Sequence, residues 1–200
     1  MRRSRFDAKR IARIGVLAAL SAILYALPGI PVIPPIYKLD FSAVPCLMAG
    51  FAMGPVEALI VTLIKDLTGL LHSSSMGVGE IADFVMTGAF AAVAALIYMR
   101  GKTLRGAVIA MIAGVAAMCV AGAAMNYFVL IPFYSGAFHM PVESIVGMVA
   151  NTVPAVDTLW KLILLAVVPF NVLKGIVVSV TGAVLYRYLR PLLEGKKASA

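Results

Sequence analysis

Within the apolar stretch 159–189, residues 167 to 180 read "VVPFNVLKGIVVSV", a run interrupted by a proline, an asparagine and a lysine. Similar stretches of roughly 17 to 25 residues recur along the chain, the length a helix needs to cross about 30 Å of hydrocarbon. With 62% hydrophobic residues, 13% charged residues and a mean hydropathy of +1.00, the 200-residue chain lies outside the range of soluble domains. A transmembrane β-barrel would show alternating segments of about ten residues, which are absent. The expectation is an all-α integral membrane protein.

We read one membrane domain over residues 1–200: a six-transmembrane-helix bundle with spans at about 11–27, 43–54, 56–72, 79–99, 106–133 and 159–189. "GPVE" at 54–57 makes a tight turn that puts Pro55 in the first turn of the third helix, where its missing N–H costs nothing. Between the first two spans, residues 28–45 carry five prolines, so they are not helical, and "IYKLDF" reads as a short strand in an outer loop. Residues 134–158 read as a second, longer outer loop.

The net charge of +8 is a topology signal. Six basic residues (Arg2, Arg3, Arg5, Lys9, Arg10 and Arg13) precede the first apolar segment, Arg100, Lys102 and Arg105 share one short loop, and Arg187, Arg190, Lys196 and Lys197 close the chain. Even numbers of spans separate these clusters, which puts them and both termini on the cytoplasmic side. Attraction to anionic membrane lipid accompanies that pattern, and no nucleic-acid partner is implied. Cys46 and Cys119 lie in apolar segments and suggest neither a disulfide nor a metal site. The N-terminus imitates a signal peptide, but without an A-x-A cleavage site it reads as an uncleaved first helix.

The sequence carries no phosphate-binding G-x-x-x-x-G-K-[ST] loop. "GVGEIA" at 77–82 matches a dinucleotide fingerprint but follows a serine-rich turn and not a strand. No catalytic triad or metal-ligand spacing can be argued, so we expect no enzyme, no catalytic residues, no metal and no cofactor.

Polar residues inside the spans carry the functional reading, because an intramembrane ionisable group costs roughly 2.5 to 3.5 kcal/mol at a helix centre. Asn171 and Lys174 are three apart and share one face, with Pro169 loosening the turn before them. The lesser alternative is a Lys174 neutralised by Asp83 or Asp66, which itself implies a polar interior. Glu80 and Asp83 share a face at the start of the fourth span, where acids either complement the helix dipole or accept from a solute's hydroxyls. Asn126 and Tyr127 bring an amide and an aromatic together. For Lys65 and Asp66, adjacency implies opposite directions: Lys65 snorkels outward and Asp66 meets another helix. Ala18, Ala22 and Ala26, spaced by four, form a small-residue face suited either to packing within the bundle or to a partner helix.

"YKLDFSAVPCLMAGFAMGPVEALIVTLIKDLTGLLH", "GVGEIADF", "NYFVLIPFY" and "VPFNVLKG" together resemble the riboflavin-specific S component of energy-coupling factor (ECF) transporters, over residues 11–190. The resemblance implies a subunit of a prokaryotic plasma membrane that captures riboflavin from outside. It also implies a transmembrane T component and two cytoplasmic ATPases as partners, with Ala18, Ala22 and Ala26 facing the T component. Asn126, Asn171 and Lys174 are implied to contact the isoalloxazine ring. Leu39, Asp40 and Phe41 of the first outer loop, and Met76, Val78, Gly79, Glu80 and Asp83 near the fourth span, would close around the ligand with Tyr127. A flavin's pyrimidine edge alternates acceptors and a donor, which an asparagine amide can match and a lysine can serve as donor. Asp83 stands where the family resemblance suggests asparagine, and a carboxylate there would disfavour a phosphate, favouring riboflavin over FMN. The alternatives are an S component for folate, thiamine or a deazapurine, and a self-sufficient secondary transporter, for which the sequence shows no convincing inverted repeat.

Overall fold

The computed structural model describes residues 7–34 and 36–194. Helix α1 (Ala8–Ala26) starts at Asp7, whose carboxylate accepts the Arg10 N–H at 2.8 Å. A two-stranded hairpin follows, β1 (Ile30–Ile33) antiparallel to β2 (Tyr37–Leu39), with Ile30 opposite Leu39 and an irregularity between Pro31 and Ile33. β2 is the strand expected at "IYKLDF". β1 was not expected, because Pro31 and Pro34 argue against a strand; in a two-stranded ribbon every strand is an edge, and an edge tolerates proline.

Helix α2 (Ala43–Ala52) is buried from Ala43 to Phe51, apolar on every side because it runs through the middle of the bundle. The chain turns into α3 (Pro55–Gly69) at Gly54, whose φ of 129° suits glycine alone, and Pro55 occupies the first turn. A 3₁₀ turn (Leu70–His72) leads to α4 (Val78–Gly101) and α5 (Leu104–Ala137), the latter opened by a π turn at Asn126–Leu130. Helix α6 (Val142–Ala150) and α7 complete the described chain; α7 begins at Leu159–Leu162, passes a π turn at Ile163–Val167 and continues through Val168–Glu194.

By length and composition, α4, α5 and α7 can each cross a membrane, while α1, α2 and α3 stand at the other three expected positions and α2 has only ten residues. The segment 134–158, expected as a loop, is corrected in two places. α5 runs on to Ala137, and α6 forms because Ile145, Val146 and Val149 share an apolar face buried against Ile163 and Val167 of α7 and Ile33 of β1.

Two packed regions bracket the middle of the molecule. At the end carrying the N-terminus, Phe51 stacks on Tyr98 with centroids 4.3 Å apart, and Tyr186 meets both edge-on. There Arg10 also bridges Glu57 at 2.6 Å and donates to the Met53 carbonyl at 2.8 Å. At the opposite end the hairpin, α6 and the start of α7 form a second apolar cluster. Between the two ends lies a cavity.

Candidate functional site

The cavity has a volume of about 950 Å³, within the range of small-molecule sites. One wall is apolar: Met86 of α4, Met118, Leu130 and Ile131 of α5, and Phe170 of α7. The other is polar: Asn126, Asn171, Lys174, Asp40, Glu80 and Asp83 all border it. Tyr37, on β2, roofs the space by donating its hydroxyl to Asn126 Oδ1 at 2.9 Å while its ring packs on Phe170 at 5.2 Å. Burial pushes the Tyr37 phenol well above its ordinary pKa, so it remains a donor.

Lys174 is held by two carboxylates, Asp40 Oδ2 and Asp83 Oδ1, each at 3.1 Å. The other Asp83 oxygen accepts from Lys65, which also binds Asp66 and whose ammonium lies 4.4 Å from the Tyr25 ring centroid. Lys65 is therefore not the outward-reaching side chain the sequence suggested. It is 0% exposed and pairs with its own sequence neighbour, because burying Asp66 and Asp83 among α1, α3 and α4 requires a cation between them. Asp40 reaches Lys174 from the loop after β2 and accepts two hydrogen bonds from Ser42, one from the backbone N–H at 2.8 Å. Burial alone would raise the Asp40 pKa; the Lys174 ammonium and the Ser42 bonds outweigh it and hold the carboxyl below the ordinary value.

The two asparagines sit beside distortions of the helices that carry them. Each donates from Nδ2 to the carbonyl four residues back, Asn126 to Gly122 at 2.8 Å and Asn171 to Val167 at 2.9 Å. Asn126 opens one π turn, and Val167 closes the other. Such turns recur at functional sites because they re-aim side chains without ending a helix. Gly122 makes room for the second amide: a Cβ there would lie 2.7 Å from Asn171 Nδ2. At the rim, Glu80 accepts from the Ser73 and Ser75 hydroxyls at 2.8 and 3.0 Å, and those hydroxyls accept the N–H groups of Gly77 and Gly79 at 2.9 Å.

The structure thus gathers Asp40, Gly79, Glu80, Asp83, Asn126, Asn171 and Lys174 around one space. It does not bring the other expected residues there. Phe41 and Leu39 border a small adjoining hollow beside the end of α1, which shares Leu27, Pro28, Gly29 and Asp40 with the cavity. Met76 is exposed at the turn before α4, Val78 packs with Ala82 and Leu130, and Tyr127 stacks on Trp160. The alanine face also divides. Ala18 is 2% exposed and belongs to the chain's own core, whereas Ala22 and Ala26 border the cavity; Gly15 and Ala19 occupy the outward side of α1. Asp83 has both oxygens engaged by lysines, which removes the basis for using it to disfavour a phosphate.

Sequence reasoning missed Tyr37, Ser73, Ser75 and Lys65. Polar residues of the outer turns carried no periodic signal, and a tyrosine on a short strand has no spacing that marks it as a roof. Lys65 carried the signal of an ionisable residue inside a span, but local adjacency pointed it the wrong way.

The chain matches the family described as ECF transporter, substrate-specific component, over residues 9–186. It is 34% identical to the riboflavin transporter RibU of Staphylococcus aureus, with 93% of each chain covered. It is 27% identical to the riboflavin transporter FmnP of Bacillus subtilis, with 95% of this chain and 98% of the other covered. Among solved structures it resembles the S component of a bacterial ECF transporter, with a TM-score of 0.72 and 33% identity over 93% of this chain and 98% of that one. A membrane-helix fold enclosing one polar-edged cavity, with a family match spanning nearly its whole length, makes this chain a member of the substrate-specific component family of ECF transporters.

Proposed function

We propose that the chain captures riboflavin from outside a bacterial cell and presents it for ATP-driven uptake, acting by binding and reorientation and not by catalysis. One observation carries the reading: Asn126, Asn171 and Lys174 line the same cavity as the apolar side chains Met86, Met118 and Phe170. The amides match the alternating acceptors and donor of a flavin's pyrimidine edge, the lysine donates to a carbonyl, and the wall accepts the remaining ring. Glu80 and its serines at the rim suit the hydroxyls of a ribityl chain. The names of the relatives support the same ligand.

The three basic clusters support a plasma-membrane topology of six spans with both termini cytoplasmic, α6 lying in the outer segment between the fifth and the sixth. A T component and two cytoplasmic ATPases supply the energy in this reading. The outward side of α1, where Gly15 and Ala19 are both exposed, is the surface we assign to the T component. Ala18, buried in the core, reaches such a partner only if α1 shifts.

The test is direct. Purified protein should quench riboflavin fluorescence on titration, and Lys174→Ala should weaken binding by about 1 to 3 kcal/mol, the cost of leaving a buried polar partner unmet. Absence of quenching at micromolar riboflavin would refute the ligand, and an unchanged Lys174→Ala would refute the site.

A further inference from the structure

Lys65 has no evident use in the site. It does not border the cavity, yet it is the most completely buried charged side chain among the described residues. Desolvating an ammonium this thoroughly is costly unless a partner requires it. That partner is Asp83, a carboxylate with two oxygens and two lysines: Lys65 takes Oδ2, where the Thr87 hydroxyl also donates at 3.3 Å, and Lys174 is held by Oδ1. On the far side Asp40 holds Lys174 as well. Two of the three Lys174 N–H donors are directed at carboxylates, and the third remains for the cavity. Without Lys65, Asp83 would keep Lys174 as its sole cation and draw it inward with both oxygens.

We propose that Lys65 is a positioning residue for ligand recognition: by occupying one oxygen of Asp83 it limits the hold of Asp83 on Lys174 and keeps that ammonium directed at the ligand. Asp66, bound to the same Lys65 ammonium, keeps the cation seated between α3 and α4. The inference rests on the ligand reading above, which sets the choice of probe.

The experiment is a set of riboflavin quenching titrations on the wild type, Lys65→Met, Lys174→Met and the double variant, each checked for folding by thermal melting. Lys65→Met should weaken binding on the order of tenfold. The further loss caused by Lys174→Met should shrink at least about threefold in the Lys65→Met background, because Lys174 is already misdirected there. Additive losses, or wild-type affinity in Lys65→Met, overturn the proposal. If Lys65→Met does not fold, Lys65→Met/Asp66→Asn removes the carboxylate left without its cation and keeps Asp83 as the partner of Lys174. It should fold and bind about tenfold more weakly than the wild type, and a folded double variant with wild-type affinity overturns the proposal. A wild type that fails to quench overturns the ligand reading and this inference with it; quenching by the wild type with additive losses overturns this inference alone.

Discussion

Tyr37→Phe deletes one oxygen from the roof of the cavity and leaves its ring in place. In the structure that oxygen donates to Asn126 Oδ1 at 2.9 Å, and the ring packs on Phe170 at 5.2 Å with a tilt of 36°. The hairpin is thereby fastened to α5 by a hydrogen bond and to α7 by an aromatic contact. A neutral hydrogen bond of this kind contributes about 1 kcal/mol net, a factor of about five. Exit past the hairpin would break that bond, so on this route Tyr37→Phe should speed riboflavin release about fivefold. The equilibrium affinity should change less, since losing the bond lowers the barrier to entry as well as to exit. Tyr37→Ala removes the ring contact too, worth about 0.5 to 1.5 kcal/mol beyond its area, and should release faster still. Stopped-flow recovery of flavin fluorescence after rapid dilution measures the rate. A Tyr37→Phe release rate equal to that of the wild type would show that the hairpin is not the barrier to exit.

Gly122→Ala should weaken riboflavin binding by about 1 to 3 kcal/mol in quenching titrations, because its methyl group would lie 2.7 Å from Asn171 Nδ2 and must push that amide out of register. Arg10→Ala should lower stability by about 2 kcal/mol, read as a drop in melting temperature in detergent, with unchanged ligand affinity. It strands Glu57, whose side chain is 3% exposed, at the end of the bundle away from the cavity. The Asp40 carboxyl titrates below its ordinary value, so its pairing with Lys174 is complete above that value and is lost only as the pH falls through the lowered one. Riboflavin affinity should therefore stay level from about pH 8 to about pH 5, and a marked fall within that window would argue against Asp40 as a partner of Lys174.

The expensive pair Asn171 and Lys174 was legible because a polar face in a membrane span has few structural explanations, and spacing by three fixes a common direction. Their neighbours in space were not. Asp40 lies 134 positions from Lys174 along the chain, and only the return of the hairpin over the bundle brings it there. Helix α6 is legible locally, since Val142, Ile145, Val146 and Val149 keep the i, i+3, i+4, i+7 spacing of one helix face; with nine residues it is too short to span a membrane, and a search for spans passes over it. Lys65 shows the opposite failure. The rule that adjacent helical residues diverge holds for side chains in solvent, but a long, flexible lysine buried between two carboxylates curls back to both. Spacing by four selects a stripe of alanines but not its surroundings: Ala18 lies in the core, while Ala22 and the exposed Ala26 border the cavity.

The π turns make the binding face a matter of phase. Each residue advances a helix by about 100°, and a π turn stores one residue more than regular α geometry would. In α7 the stored residue lies between Trp160, which stacks on Tyr127, and the pair Asn171 and Lys174. Losing a single residue from Ile163–Val167 would let the turn relax to regular α geometry with the polar pair still facing the cavity, whereas the same loss from a helix without such a turn would swing the pair about 100° away. The turn is therefore the place where a chain of this fold can shorten by one residue and keep its binding face.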